Sequence, residues 1–230
     1  MLSDSTGNNF VLNSLRSFPH TGILVSSYLG DNKVDAYSRK VGMIFGFASI
    51  YPLNSNWGIQ SGVDFERKGF TFHASSDLYF RYAPSNNITT NIHTQVDLDY
   101  IQIPVLLRYT WDKLIRLSVQ TGPYVSFLMN AQVMGTSDIE NTYDTGYYAY
   151  QVHVNDNVQG AFSKMDLGWV FGIGIEIPIV NKWSVLAEGG YNRGFKDIFS
   201  NRILQYSNPN GDNVGYNQTF TCTLGISYHL

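Results

Sequence analysis

The sequence predicts an all-β chain: an eight-stranded, antiparallel, up-and-down transmembrane β-barrel with short periplasmic turns on one rim and long extracellular loops on the other. Three observations predict it. Long segments alternate apolar with small or polar residues at a period of two, the mark of a strand with two unlike faces. The connections alternate between very short and long, as they do in barrels whose two rims meet different environments. The composition is 15 % aromatic and only 14 % charged over 230 residues, against about 25 % charge in ordinary soluble domains. The mean hydropathy is −0.14, and no apolar run reaches the length of about 18 residues that a membrane helix needs.

The first strand is expected near 21–30 and the second near 41–51, where Val41, Met43, Phe45 and Phe47 oppose Gly42, Gly46 and Ala48. The third, near 57–70, sets Trp57, Ile59, Val63 and Phe65 against Gln60, Gly62, Asp64 and Glu66. The fourth, near 96–111, sets Ile101, Ile103, Val105 and Leu107 against Tyr100, Gln102, Pro104 and Arg108. The fifth, near 114–128, sets Ile115, Leu117 and Val119 against Arg116, Ser118 and Gln120. The sixth, near 165–177, alternates Leu167, Trp169, Phe171 and Ile173 with Asp166, Gly168, Gly172 and Gly174, ending on Glu176. The seventh, near 183–191, sets Val185 and Ala187 against Ser184 and Glu188. The eighth, 217–230, sets Phe220, Cys222, Leu224 and Ile226 against Thr219, Thr221, Thr223 and Gly225. Strands of about 10–14 residues exceed the usual soluble length of about 5–6 and suit a tilted bilayer crossing.

Pro52–Asn56, Asp112–Lys113 and Val180–Lys182 read as tight turns with Pro, Asn and Asp chemistry. The segments 31–40, 71–95, 129–164 and 195–216 read as long polar loops. Trp57, Trp111 and Trp183 each flank a short turn, where an interfacial aromatic girdle belongs. A soluble eight-stranded barrel would turn its polar parity outward, whereas here the aromatic and aliphatic parity is too continuous for a solvated face. Residues 1–19 are read as an N-terminal periplasmic extension and 20–230 as the barrel. Met1–His20 lack a basic segment followed by an apolar one, so a signal peptide is expected to have been removed or left out of the numbering.

The segments Tyr100-Ile101-Gln102-Ile103-Pro104-Val105-Leu106-Leu107, Gly62 through Gly69, Thr121-Gly122-Pro123-Tyr124 and Asp166-Leu167-Gly168-Trp169-Val170-Phe171-Gly172-Ile173-Gly174 resemble strands of the PorT-like family of outer-membrane β-barrel proteins. Gly189-Gly190-Tyr191-Asn192-Arg193-Gly194 resembles a further family segment, with Asn192 and Arg193 departing from its usual order. The resemblance implies a barrel of about eight strands in the bacterial outer membrane and, from its namesake, a setting in protein secretion. It implies no reaction.

The net charge of −3 and the absence of a basic block argue against a nucleic-acid partner. The single cysteine, Cys222, allows no intrachain disulfide and reads as a small hydrophobe. Asp64, Glu66, Arg108, Arg116, Glu176 and Glu188 fall on the inward parity. In a lumen of eight strands, just wide enough for side chains, they are expected to form a plug of paired charges. A gated ion path or a site for a small acidic ligand is the alternative. His73, His93 and His153, with Asp77, Asp97, Asp99 and Asp138, fall in expected outer loops or at their rim. They could supply a general base, but no serine elbow, His-x-x-x-His pair or Cys/His metal spacing accompanies them. No catalytic residue, metal site or cofactor is therefore assigned. Tyr143, Tyr147, Tyr148 and Tyr150 crowd one loop and suit a binding surface, since tyrosine offers large contact area at low entropic cost. The expected role is a non-enzymatic structural or accessory component of a cell-surface or secretion complex in the bacterial outer membrane. Its expected partners are membrane lipids, lipopolysaccharide or another surface protein. An outer-leaflet lipid-modifying or proteolytic enzyme, or a narrow channel, are the alternatives.

Overall fold

The structure, a computed structural model, describes residues 15–30, 37–80, 83–111, 115–143, 146–180, 182–199 and 215–229. These residues form nine strands: β1 (Arg16–Gly30), β2 (Tyr37–Pro52), β3 (Trp57–Phe80), β4 (Ala83–Trp111), β5 (Arg116–Tyr143), β6 (Gly146–Asn157), β7 (Met165–Val180), β8 (Trp183–Gly194) and β9 (Gly215–His229). Eight of them close an antiparallel ring in the order β1-β2-β3-β4-β5-β7-β8-β9, with β9 returning to β1. The expected barrel is therefore present, and β6 stands outside its ring.

Alternation builds the wall. Val41, Phe45, Phe47, Val63, Val105, Leu117, Phe171, Ile173, Leu224 and Ile226 are exposed on the outside. Their strand neighbours of the other parity, among them Gln60, Asp64, Gln102, Gln120, Glu176 and Thr223, are buried inside. This inversion of the soluble pattern is stable only where the solvent is hydrocarbon. Trp57, Trp111 and Trp183 lie at the short-turn rim, Trp57 edge-on to Tyr109 at 4.9 Å and Trp183 against Tyr228 at 4.9 Å. At the other edge of the apolar band Arg67 forks onto Asp99 at 2.6 and 3.0 Å, and Lys40 meets Asp97 at 2.5 Å. Trp57 and Arg67 are ten residues apart on β3. At about 3.3 Å per residue and a tilt near 40°, that spans about 25 Å, the height of the apolar belt of such barrels.

Two expectations about the long connections are corrected. Residues 71–95 are not a loop: β3 and β4 stay paired from Trp57↔Tyr109 to Tyr79↔Asn87. Residues 129–164 are not one loop either. β5 continues to Tyr143 and turns back as β6, pairing from Gln132↔Asn157 to Tyr143↔Gly146. The upper halves of β3, β4 and β5, with β6 at the edge, make a four-stranded sheet beyond the charged rim. The ladder hydrogen bonds of neighbouring strands hold it, so polar residues on both faces do not prevent strand formation there. β1 also starts at Arg16 and takes in residues assigned to the extension, because Phe18 is fully buried and belongs to the barrel interior.

Gly69 marks the departure of β3 from the barrel. Its φ is +146°, and a Cβ there would lie 1.9 Å from the Val96 carbonyl oxygen, so no other residue fits without displacement. Ser26 Oγ accepts from the Gly69 N–H at 2.9 Å and donates to its carbonyl at 2.8 Å. Just above, Phe70, Val96, Leu98, Tyr100, Leu128, Ala131 and Phe162 pack into one buried cluster, with Phe199 against it. The 3-10 turn Gln159–Ala161 and the segment after β8 bring Phe162 and Phe199 over the mouth, tied by the Ser163 N–H donating to the Ile198 carbonyl at 2.7 Å.

Candidate functional site

The lumen is filled from the short-turn rim upward by ion pairs. Glu176 of β7 accepts from Arg16 of β1 at 3.0 Å and from Arg116 of β5 at 3.1 Å. Above it Arg108, 1 % exposed, donates to Gln60 at 2.6 Å, Gln120 at 3.2 Å and Glu188 at 2.5 Å. His20 Nε2 lies 3.0 Å from Asp64 Oδ1. Lys68 Nζ sits 2.5 Å from Glu66 Oε2, donates to Gln102 at 3.2 Å, and faces the rings of Tyr100 and Tyr124 at 5.5 and 5.4 Å. Tyr124 and Asn217 both donate to Asp166, at 3.2 and 2.9 Å.

Of the six charges that parity places inward, four meet one another as Arg108–Glu188 and Arg116–Glu176, while Asp64 pairs with His20 and Glu66 with Lys68. Three partners are not among those six: His20 and Arg16, the second cation on Glu176, belong to the expected extension or its border, and Lys68 had its even parity on β3 as the available signal. Each buried charge meets an opposite charge or several hydrogen bonds, as the low dielectric of a side-chain-filled lumen demands. Between the layers a cavity of about 60 Å³ is bounded by His20, Asp64, Glu66, Glu188, Gln102 and Asn192, with other side chains. That holds a water or two and no substrate.

A second candidate lies on the wall. A shallow groove of about 650 Å³ is lined by Leu107, Tyr109, Val119, Phe171, Ile173, Tyr191 and Phe220. Its floor is Gly189, around which an added Cβ would find no atom closer than 3.8 Å. This groove follows from the absence of a side chain among large neighbours on the lipid-facing parity.

The third is the sheet beyond the rim. Tyr147, Tyr148 and Tyr150 are all exposed on β6, and β6 pairs with β5 alone among the described residues. The side chain of Tyr143 lies outside the described residues. The Tyr147 phenol is held above its usual range, first by desolvation and then by the Glu140 carboxylate beside it. Gln151 donates to Asp138 across the same pair at 2.6 Å. Asp97 and Asp99, expected at the rim, are engaged by Lys40 and Arg67. Asp77 is opposite Thr89, and its side chain lies outside the described residues. His73, His93 and His153 sit on β3, β4 and β6, and their cross-strand row is His73↔His93↔Thr136↔His153. Among the described residues no group of three or more His, Cys, Asp or Glu side chains converges on a metal position.

Residues 8–200 match the profile of a family described as "Outer membrane protein beta-barrel domain". Solved structures of similar architecture include the attachment invasion locus protein Ail of Yersinia pestis, at 12 % identity and TM-score 0.42, covering 94 % of this chain and 98 % of that one. OprG of Pseudomonas aeruginosa shows 11 % identity and TM-score 0.42, with coverage of 95 % and 97 %. A major outer membrane protein of Thermus thermophilus shows 11 % identity and TM-score 0.46, with coverage of 94 % and 99 %. No curated protein sequence matches this chain.

Proposed function

The chain belongs to the outer membrane protein β-barrel family, and from that premise we propose that it is a non-enzymatic accessory protein docking another surface protein through its outer sheet. It is an outer-membrane barrel whose short turns face the periplasm and whose long hairpins face the medium. The observation that carries the proposal is the edge strand β6. Twelve residues long, it contains no proline or lysine, presents Tyr147, Tyr148, Tyr150 and Val152 exposed, and leaves one row of backbone groups without a strand neighbour among the described residues. Edges of that kind are normally blunted by charge, proline or a bulge, and a partner segment adding to such an edge is a common recognition mode. The paired charges of the lumen support this reading over conduction. A place in protein secretion rests on the resemblance to the PorT-like family and belongs to the same proposal.

The test is a native pull-down of tagged protein from outer membranes in mild detergent, run in parallel with the Tyr147→Ser/Tyr148→Ser/Tyr150→Ser variant. The expected result is a stoichiometric partner retained by the unsubstituted protein and lost by the variant, with both barrels still heat-modifiable on gels. A protein that comes down alone, or a partner that survives the substitutions, refutes docking at this edge.

A further inference from the structure

His73 and His93 face each other directly across the β3–β4 ladder, above the charged rim that bounds the apolar belt. Their Nδ1 atoms are 2.7 Å apart, and their rings meet edge to face with centroids 5.0 Å apart. Both side chains are exposed to the medium. Neutral imidazoles reach this distance when the Nδ1–H of one donates to the Nδ1 lone pair of the other. The two nitrogens thus converge on one point, which is the requirement for a chelate. Two imidazole nitrogens bound at about 2.0–2.1 Å to a tetrahedral ion stand about 3.3 Å apart. The pair therefore needs to open by only about half an ångström, which a rotation of two surface rings supplies.

We infer that His73 and His93 form a two-histidine chelate for a late first-row divalent cation, Cu²⁺, Ni²⁺ or Zn²⁺. Imidazole is a preferred ligand for these ions and a poor one for Mg²⁺ or Ca²⁺. On binding, the ring that carries its proton on Nδ1 takes the Nε2–H tautomer, so both Nδ1 lone pairs reach the metal without net loss of a proton. Thr71, Ser75, Asn91 and Gln95 occupy the flanking positions of the same face, so water fills the remaining coordination positions and the ion stays exchangeable. His153 shares the row but is separated from His93 by Thr136. Two strand spacings put its backbone about 10 Å from that of His93, too far for it to complete the chelate. The strand register is what makes the site: twenty positions separate the two histidines in the chain, and no local metal motif announces them.

The experiment uses tag-free barrel, stripped with a chelator and folded in detergent micelles. Zn²⁺ binding is read by calorimetry and Cu²⁺ binding by electron paramagnetic resonance. One ion per barrel is expected, with nitrogen superhyperfine splitting from two imidazoles. Loss of an outer-shell partner of a metal ligand typically costs about 10–100-fold in affinity, so His73→Ala or His93→Ala, each removing one of two protein ligands, should weaken binding at least about tenfold. His153→Ala should leave it unchanged. All three sites are on the solvated sheet, and heat-modifiability confirms that each variant keeps its barrel. Absence of saturable binding to the unsubstituted barrel, binding that persists in the His73→Ala/His93→Ala double variant, or equal loss in His153→Ala overturns the inference.

Discussion

Replacing Arg108 by alanine should be among the most damaging single changes in the barrel. Its guanidinium is 1 % exposed and satisfies Gln60, Gln120 and Glu188 at once. Without it one carboxylate and two amide oxygens lose their donor deep in the lumen. Breaking a buried pair by removing one partner costs about 3–5 kcal/mol, most of it the uncompensated charge left behind. Water entering the vacated space next to the 60 Å³ cavity softens this, so a loss of about 3 kcal/mol is expected. The charge origin of that loss has its own signature. Arg108→Met/Glu188→Gln removes both charges and keeps the bulk, so it should regain at least about 2 kcal/mol relative to Arg108→Ala. The assay is urea unfolding from lipid vesicles followed by tryptophan fluorescence. A loss below about 0.5 kcal/mol for Arg108→Ala, the ordinary scatter of surface substitutions, would refute the plugged lumen. A double variant as unstable as the single one would refute its electrostatic basis.

Two further outcomes are expected from the same assay. Gly168→Ala should destabilise by about 1–3 kcal/mol through overpacking, since its Cβ would meet the Tyr124 ring at 2.6 Å and the Arg193 carbonyl at 2.2 Å. Gly189→Ala, whose nearest neighbour would be 3.8 Å away, should lie within about 0.5 kcal/mol of the unsubstituted protein; equal effects at both positions would contradict the packing assigned to them. The belt assigned to the wall predicts a depth profile for arginine: Val63→Arg, midway between Trp57 and the Arg67–Asp99 pair, should cost about 2–4 kcal/mol and Thr71→Arg less than about 1. Similar costs at the two sites would move the membrane boundary.

The parts of this fold that cross the belt were legible because two unlike solvents impose a strict alternation on every strand. Phe45, Phe47 and Phe65 against Gly46, Ala48 and Asp64 could be assigned to faces from parity alone. Beyond Gly69 the alternation fades, because water is on at least one side and ladder hydrogen bonds carry the sheet. Ser75, Ser76, Asn86, Asn87 and Asn91 then read as loop. The β-branched run Ile88, Thr89, Thr90, Ile92, Thr94 and Val96 was the signal that could have found β4 there. In the lumen parity identified which charges point inward but not which meet, since pairing depends on register and on neighbours in the closed ring. Arg16 and Glu176 are 160 positions apart and touch only because β9 returns to β1. The His73–His93 contact was hidden for a different reason: residues 71–95 read as a loop, so no register set the two histidines opposite each other.

The β3–β4 ladder, which keeps one register from Trp57 to Tyr79 with a gap only at Gly62 and Val63 opposite Pro104 and Ile103, also gives the molecule a mechanical grain. Antiparallel hydrogen bonds lie across the strand direction, so a load applied along the strands must stretch many of them together. The outer sheet then behaves as a stiff post rooted in the wall, its β3 edge running about 43 Å along the strand from Arg67 to Phe80 at about 3.3 Å per residue. A load that pulls β6 sideways meets the bonds one at a time and peels it from β5. A partner held at β6 would therefore be gripped firmly against forces normal to the cell surface and released easily by forces along it.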